Sequence, residues 1–380
     1  VNPGLSTARP AALPAAETTP RKVLFSAMKN EAPFVLEWVA YHRAIGFDEI
    51  VICSNPSNDG MEEILAALAA AGEIRHLRAT VPAGAGAQFV ASKLFSAEVG
   101  YRENDWYLWL DADEFLNVHV GDRTVSALIE ALSGRTCAII NWRIFGSSGR
   151  PGFDGRFISE DFCGAAAPEF PGNLEVKSIF RKSAEYRGFS LFGFHRPLVA
   201  RGARLQPRDV AVGTGAAPAA GSRAHQRWLR GADIGGTSRV PPEDFGWSLA
   251  QINHYLVRTP EFFAMKRLRG RGYKPDSAGE ANNRHTDAFF ARNDRNEAED
   301  RSILHWEGAV TAGIRRLMQL PGVAAATERS EALVRDLLAT AAAARAGLPV
   351  TGKAEPVAPR RVLFSAMKNE APFVLEWVAY

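Results

Sequence analysis

Cysteine is nearly missing: Cys53, Cys137 and Cys163 are the whole complement of a 380-residue chain, and none forms a Cys-x-x-Cys pair. That excludes a disulfide-stapled scaffold and a thiolate zinc site, and it makes a reducing, cytoplasmic setting the default. No apolar run reaches the ~18 residues that a membrane-spanning helix needs. Charge of one sign is lacking too, since 45 basic residues stand against 42 acidic ones for a net +3. This balance supports neither a nucleic-acid-binding stripe nor an acidic solvating tail. No Gly-x-Gly-x-x-Gly and no phosphate loop ending in Gly-Lys-Ser/Thr occurs, which disfavours a redox Rossmann domain and an NTPase. Residues 1–20 are rich in Ala, Pro and Thr, with Arg9 and Glu17 their only charges before Pro20. They lack the basic start and apolar core of a secretory signal and read as a flexible linker or leader.

What is present begins with a long-range repeat. Residues 23–41, VLFSAMKNEAPFVLEWVAY, recur unchanged as residues 362–380, at an offset of 339. That distance suits a whole domain rather than a solenoid unit. The chain is therefore read as a leader (1–20), one module (21–348), a linker (349–361) and the truncated start of a second copy (362–380), or an end artefact. A strand and half a helix cannot bury their own apolar face. Hydrophobic residues make up 46% of the chain, enough for a sizeable core in the module.

Within that module the apolar pattern predicts strands at 22–27, 48–53, 73–77 and 106–110, separated by helices over 31–44, 61–71 and 88–101. Gly46 and Gly72 act as helix stops. Crossovers of this length suit βαβ units and a parallel sheet covered on both faces. Further strands are expected at 138–142 and 175–180, and helices at 260–269, 300–318 and 330–345.

The sharpest chemical feature is Asp111-Ala112-Asp113-Glu114, directly after the apolar run WYLWL. Ligands of open α/β sheets bind beyond the carboxyl ends of strands. Two acids two residues apart on an extended chain share a side and can converge on one hard cation, Mn²⁺ or Mg²⁺, which in turn neutralises a diphosphate. A solvated acidic turn after a core strand has the same spacing.

The segment YLWLDADEF resembles the Asp-x-Asp signature of GT-A-type glycosyltransferases, in particular the family-92-like (DUF23) and family-2-like group. Residues 25–60 resemble the first two βα units of that group. A later block, QINHYLVRTPEFFAMKRLRG at 251–270, resembles it as well. The resemblance implies an α/β GT-A (nucleotide-diphospho-sugar transferase) fold, with a mostly parallel central sheet flanked by helices and a helical C-terminal part. A nucleotide-sugar-binding half would span about 21–120, and an acceptor half with the C-terminal helices about 121–348. It further implies that Asn30, Glu31, Asn55 and Asp59 face the nucleotide, and that a later histidine, His254 ahead of His195, completes the metal shell. Polar turns at strand ends are compatible with that role, although Asn55, Ser57 and Asn58 also suit the turn's own backbone hydrogen bonding.

Lys266 and Arg269 lie three apart on a predicted helix and share a face. With Arg258 and Lys177 they could stabilise a departing diphosphate, or form an ordinary solvated face. An inverting transfer needs a base for the acceptor hydroxyl, and Glu160 and Asp161 are placed for it by chain order, with Glu114 as another carboxylate. Trp142 and the loop FGSSG could shape an acceptor pocket or belong to the core.

The sequence therefore points to metal-dependent transfer of a sugar from a nucleoside-diphosphate sugar, UDP-sugar favoured. The acceptor would be a glycan, polysaccharide or lipid-linked molecule, with no nucleic-acid partner. Peripheral contact at the inner face of a membrane, and further copies of the module in a longer chain, are compatible with this reading. A non-catalytic nucleotide- or carbohydrate-binding module and a metal-dependent phosphohydrolase or nucleotidyltransferase are the alternatives.

Overall fold

The first apolar run forms strand β1 (Lys22–Met28), and the next elements follow the alternation that the hydrophobic pattern dictates: α1 (Ala32–Ala44), β2 (Glu49–Ser54), α2 (Met61–Ala70), β3 (Arg75–Arg78), α3 (Ala87–Glu98) and β4 (Trp106–Trp109). Beyond them come β5 (Glu114–Val118), α4 (Val125–Ala131), β6 (Cys137–Ile144), α5 (Ile158–Asp161), β7 (Gly164–Ala165), β8 (Val176–Arg181), β9 (Tyr186–Phe189), β10 (Pro197–Val199), β11 (Val210–Ala211) and α6 (Arg223–Leu229). The chain then runs through β12 (Ala250–His254), α7 (Pro260–Arg269), α8 (Asp287–Asn293), β13 (Ala298–Glu299), α9 (Glu307–Met318) and α10 (Val323–Ala344). The structure, a computed structural model, describes residues 19–82, 84–152, 157–189, 194–231, 238–269 and 285–344. The terminal repeat and nearly all of the leader lie outside the described residues.

Successive side chains of a strand face opposite sides of a sheet, and the central strands use both sides. Leu24, Ile50, Ile52 and Leu108 pack with α1, α2, α9 and α10 in one core. Val23, Phe25, Val51, Cys53, Tyr107 and Trp109 pack with Phe95 of α3 and with Tyr186, Phe189 and Trp228 in another. Helix α1 is buried almost all round, because the sheet lies under it and α9 over it. The two helices come close at Gly313, where a Cβ would stand 3.1 Å from that of Ala40. Among the described residues no helix is long and apolar enough to cross a membrane.

Nine strands form one sheet, in the order β3-β2-β1-β4-β8-β6-β12-β5, with β11 pairing beside β6. The expected GT-A fold with a mostly parallel central sheet does not hold. β3, β2, β1 and β4 are parallel, but β8 runs antiparallel to both β4 and β6, and β5 runs antiparallel to β12. An apolar strand pattern carries no direction. Direction follows from the connection, and the expectation of helical crossovers fails beyond β4.

The sheet is also strongly curled, into a half-barrel, and the cause is local. Four inter-strand steps separate β4 from β5, which in a flat sheet would place them ~19 Å apart. Only residues 110–113 join the two strands. Glu114 N–H donates to Asp111 O at 3.0 Å, a turn whose ends lie within ~7 Å. The sheet must bend round to meet that turn, and the concave side receives the acids.

Packing also fixes the protonation of His42 on α1. Its ring is fully buried among Trp38, Tyr41, Phe47 and Phe115, and Nδ1 lies 2.8 Å from Trp38 O. Burial holds its pKa down at about 3, against an ordinary 6.5. Protons therefore bind the unfolded chain first. The contribution of neutral His42 is whole above pH 6.5 and is lost as pH falls from 6.5 toward 3. Between pH 7.5 and 5.5 this amounts to ~1.4 kcal/mol. Urea unfolding at the two pH values should show His42→Phe losing that much less stability than the parent, and an equal loss in both chains would refute the account.

Candidate functional site

Strand β4 ends in the turn that carries three acids. Asp113 and Glu114 are buried, while the Asp111 side chain keeps 30% of its surface exposed. The turn closes on itself: Glu114 Oε2 accepts from Asp111 N–H at 2.8 Å. Trp38 on α1 anchors the start of β5 by donating its indole N–H to Glu114 O at 3.0 Å. The backbone of Asp113 is held by Tyr255 N–H at 2.9 Å, so β12 fixes the same turn from its other side.

Each aspartate meets its own lysine. Lys177, on β8 with its side chain only 1% exposed, lies 3.1 Å from Asp111 Oδ2 and 3.1 Å from Glu114 Oε2. Lys266, on α7, binds Asp113 Oδ2 and donates to Leu256 O at 2.7 Å. Gln88, in the first turn of α3, donates to Asp111 Oδ1 at 2.9 Å. His254 ends β12 between two acids, its Nε2 3.6 Å from Asp113 Oδ1 and its Nδ1 3.9 Å from Glu114 Oε1. Trp142 packs edge-on against it at 4.3 Å between ring centroids.

These contacts set the charges. Burial alone would raise both aspartates, but Lys177 holds Asp111 below the usual carboxylate range, and Lys266 with His254 holds Asp113 well below it. Burial pushes Glu114 up to about 8, with Asp111 and Asp113 adding to the rise and Lys177 only partly opposing it. Lys177 is raised, because the two carboxylates outweigh its desolvation. Burial lowers His254 despite Asp113, and burial with the Lys177 charge lowers His195 to about 3. At neutral pH the centre thus holds two carboxylates, two ammonium groups, a protonated glutamic acid and two neutral imidazoles.

That donor set does not make a cation cage. Among the described residues no group of three or more His, Cys, Asp or Glu side chains is arranged to hold a metal ion. The Oδ2 atoms of Asp111 and Asp113 are both taken by ammonium groups. His195 turns its Nδ1 to Val176 O at 2.7 Å and packs 5.6 Å from the Trp142 ring.

The other residues singled out from sequence divide into groups. Asn30 and the 55–59 turn meet at the carboxyl ends of β1 and β2. Asn30 Nδ2 donates to Asn58 Oδ1 at 2.7 Å, and Asn58 N–H donates back to Asn30 Oδ1 at 3.0 Å. A cavity of about 390 Å³ opens there, lined by Lys29, Asn30, Pro56, Ser57, Asn58 and Met265 among others. Asn55 is buried, and its Oδ1 has no hydrogen-bond partner among the described residues. Asp59 accepts from Ala32 N–H at 2.8 Å and Met61 N–H at 3.0 Å, and so caps two helices. Glu31 forms a buried ion pair with Arg258 at 2.7 Å. Arg258 stands at φ +53°, a left-handed conformation uncommon outside glycine.

Glu160 and Asp161 belong to α5, which Glu37 of α1 clamps through Ile158 N–H at 2.7 Å and Ser159 N–H at 3.0 Å. Asp161 pairs with Arg150 at 3.0 Å. Both acids line a separate cavity of about 610 Å³ with Ser148, Arg150 and Asn296. The structure therefore does not bring them into the aspartate–lysine cluster. The Arg269 side chain lies outside the described residues. Gln88 went unread from sequence, although its place in the first helical turn beyond the loop PAGAG was a signal.

No family model matches the chain. Over 170 residues it is 29% identical to a glycosyltransferase family 92 protein of Oryza sativa subsp. japonica, covering 41% of this chain and 26% of that protein. The chain thus spans about a quarter of its relative's length. Among solved structures, S. aureus TarS aligns over 84% of this chain and 54% of its own, at 12% identity and a TM-score of 0.32. A putative glucose-1-phosphate thymidylyltransferase from Bacillus anthracis aligns over 42% and 71%, at 13% identity and a TM-score of 0.26. Structural likeness at that level carries no argument about function.

Proposed function

We propose that the chain transfers a sugar from a nucleoside-diphosphate sugar, a UDP-sugar by preference, to a hydroxyl of a glycan, polysaccharide or lipid-linked acceptor. The observation that carries this reading is the buried aspartate–lysine cluster at the carboxyl end of β4, where a parallel half-sheet offers its ligand edge. The distant similarity to a glycosyltransferase supports it. In such a transfer the acceptor oxygen attacks the anomeric carbon, the bond from that carbon to the diphosphate oxygen breaks, and the diphosphate gains negative charge. Lys177 and Lys266 are the groups that meet this charge. Fixed cations in a desolvated site stabilise it without reorganising. The nucleoside belongs in the cavity beside Asn30 and the 55–59 turn. The acceptor's proton passes to water or to the departing diphosphate, since Glu160 and Asp161 line a separate cavity.

Calorimetric titration of UDP-, GDP- and dTDP-sugars into the full chain tests the reading. One nucleotide class should bind with a Kd on the order of 10 μM, and the folded Lys266→Met variant should bind it at least ~10-fold more weakly. Nucleotide binding without any release of diphosphate on adding saccharide acceptors would favour a binding module. A folded chain that binds none of the three would overturn the proposal.

A further inference from the structure

We propose that this centre works without a divalent cation, Lys177 and Lys266 serving as its built-in counter-ions for both the aspartates and the donor's diphosphate. The diphosphate half of this statement rests on the function proposed above, and the cation half does not.

The first argument is stoichiometric. Two ionised aspartates face two ammonium groups, each delivered by a different element: Lys177 by β8 onto Asp111, and Lys266 by α7 onto Asp113. A carboxylate pair that lacked such partners would draw in a cation or take up a proton. Here that demand is already met by the chain.

The second argument is geometric. A hard divalent ion needs carboxylate oxygens at ~2.0–2.6 Å. Lys177 stands 3.1 Å from Asp111 Oδ2, Lys266 is in direct contact with Asp113 Oδ2, and Gln88 occupies Asp111 Oδ1 at 2.9 Å. A metal ion bridging the two aspartates would sit against both ammonium groups and suffer repulsion from each. The lysines cannot simply swing out. Their side chains are 1% and 7% exposed, and an ammonium displaced into apolar packing would lose every partner it has.

The third argument is the number of donors. An ammonium group has three protons. Among the described residues Lys177 uses two on Asp111 and Glu114, which leaves a third for a phosphate oxygen. Asp111 is the exposed member of the cluster, so the anion approaches on the side where Lys177 is bonded.

Two measurements on the full chain decide the matter. In the first, Mn²⁺ is titrated into the protein alone and followed by its electron paramagnetic resonance signal. The expected result is that Mn²⁺ stays free up to ~1 mM, and that Lys177→Met/Lys266→Met, if folded, binds it at least ~10-fold more tightly, because its carboxylates have lost their counter-ions. A wild-type Mn²⁺ site in the micromolar range that disappears in Asp111→Asn would overturn the inference. In the second, UDP binding is compared in EDTA and in 1 mM Mn²⁺, where affinities within about twofold are expected and a loss of ~10-fold or more in EDTA overturns it. If UDP binds under neither condition, it is the transferase reading that falls, and the Mn²⁺ titration alone then sustains or overturns the cation half.

Discussion

A Lys177→Met chain is expected to be less stable than its parent by ~1–3 kcal/mol at pH 7, the cost of leaving the partly exposed Asp111 carboxylate without its ammonium partner. The methionine fills nearly the same volume, so lost packing is a small part of that figure. What remains is Asp111 with Gln88 alone, and Glu114 with no cation beside it. Both acids then titrate upward. The sign of the pH dependence follows from Asp111, whose carboxyl in the parent is held below its ordinary range by Lys177 against the effect of burial. A depressed carboxyl contributes stability that is present above the unfolded-state pKa and lost as pH falls through the folded one. The variant has no such contribution to lose, so its deficit should be largest near neutrality and shrink below pH ~4, where the unfolded chain's carboxylates are protonated too. Urea denaturation at pH 7 and pH 3.5 reads both numbers. A deficit under ~1 kcal/mol at pH 7 would mean that Lys177 is not the partner on which the turn depends.

The second large effect concerns Glu31 and Arg258, which join the turn after β1 to the turn after β12. Their side chains are 4% and 3% exposed, and the guanidinium also lies 3.8 Å above the Phe34 ring. Glu31→Leu and Arg258→Leu should each cost ~3–5 kcal/mol, whereas the double variant should cost far less than their sum, within ~1–2 kcal/mol of the parent. A leucine at 258 inherits the same left-handed backbone as the arginine, so strain does not separate the two chains. The coupling term of the double-mutant cycle is the readout. Values adding without coupling would show that the pair contributes by shape alone. Because Arg258 also helps to hold Asp113 down, its loss should raise the apparent pKa of the cluster in a way that Glu31→Leu does not.

The first half of the sheet was largely legible in the sequence. Apolar runs bounded by Gly46 and Gly72 gave β1 to β4 and their helices to within a few residues, and α7 occupies the predicted 260–269. In the second half β6 and β8 fall at the predicted 138–142 and 175–180, but β5 and the strand directions were not legible, for two physical reasons. Residues 114–118 begin with a glutamate and include Asn117, so they did not read as a strand. Yet they are buried throughout, because Asn117 can reach Ser302 at 2.7 Å and Glu114 can reach Lys177. Strand direction, too, has no local signature, and the antiparallel insertions of β8 and β5 could not be inferred from composition.

The acids of the site were plain in DADE. The expectation that Asp111 and Asp113 extend side by side gives way to a turn, and the lysines read as phosphate ligands are found first of all on the aspartates. Pairing across 66 and 153 residues is a tertiary fact that no window of sequence contains.

Those separations bear on how the chain comes off the ribosome. The acids emerge early, with β4, and the first four strands can pair in parallel while the remaining two-thirds of the chain is still unmade. Lys177 arrives later with β8, β12 then supplies the edge against which β5 closes, and Lys266 follows it. Until α7 exists, Asp113 faces solvent or a proton, and the half-barrel has no reason to shut. The centre is therefore written first and completed late, so a nascent or C-terminally shortened chain would own the acidic motif without the machinery that makes it a site.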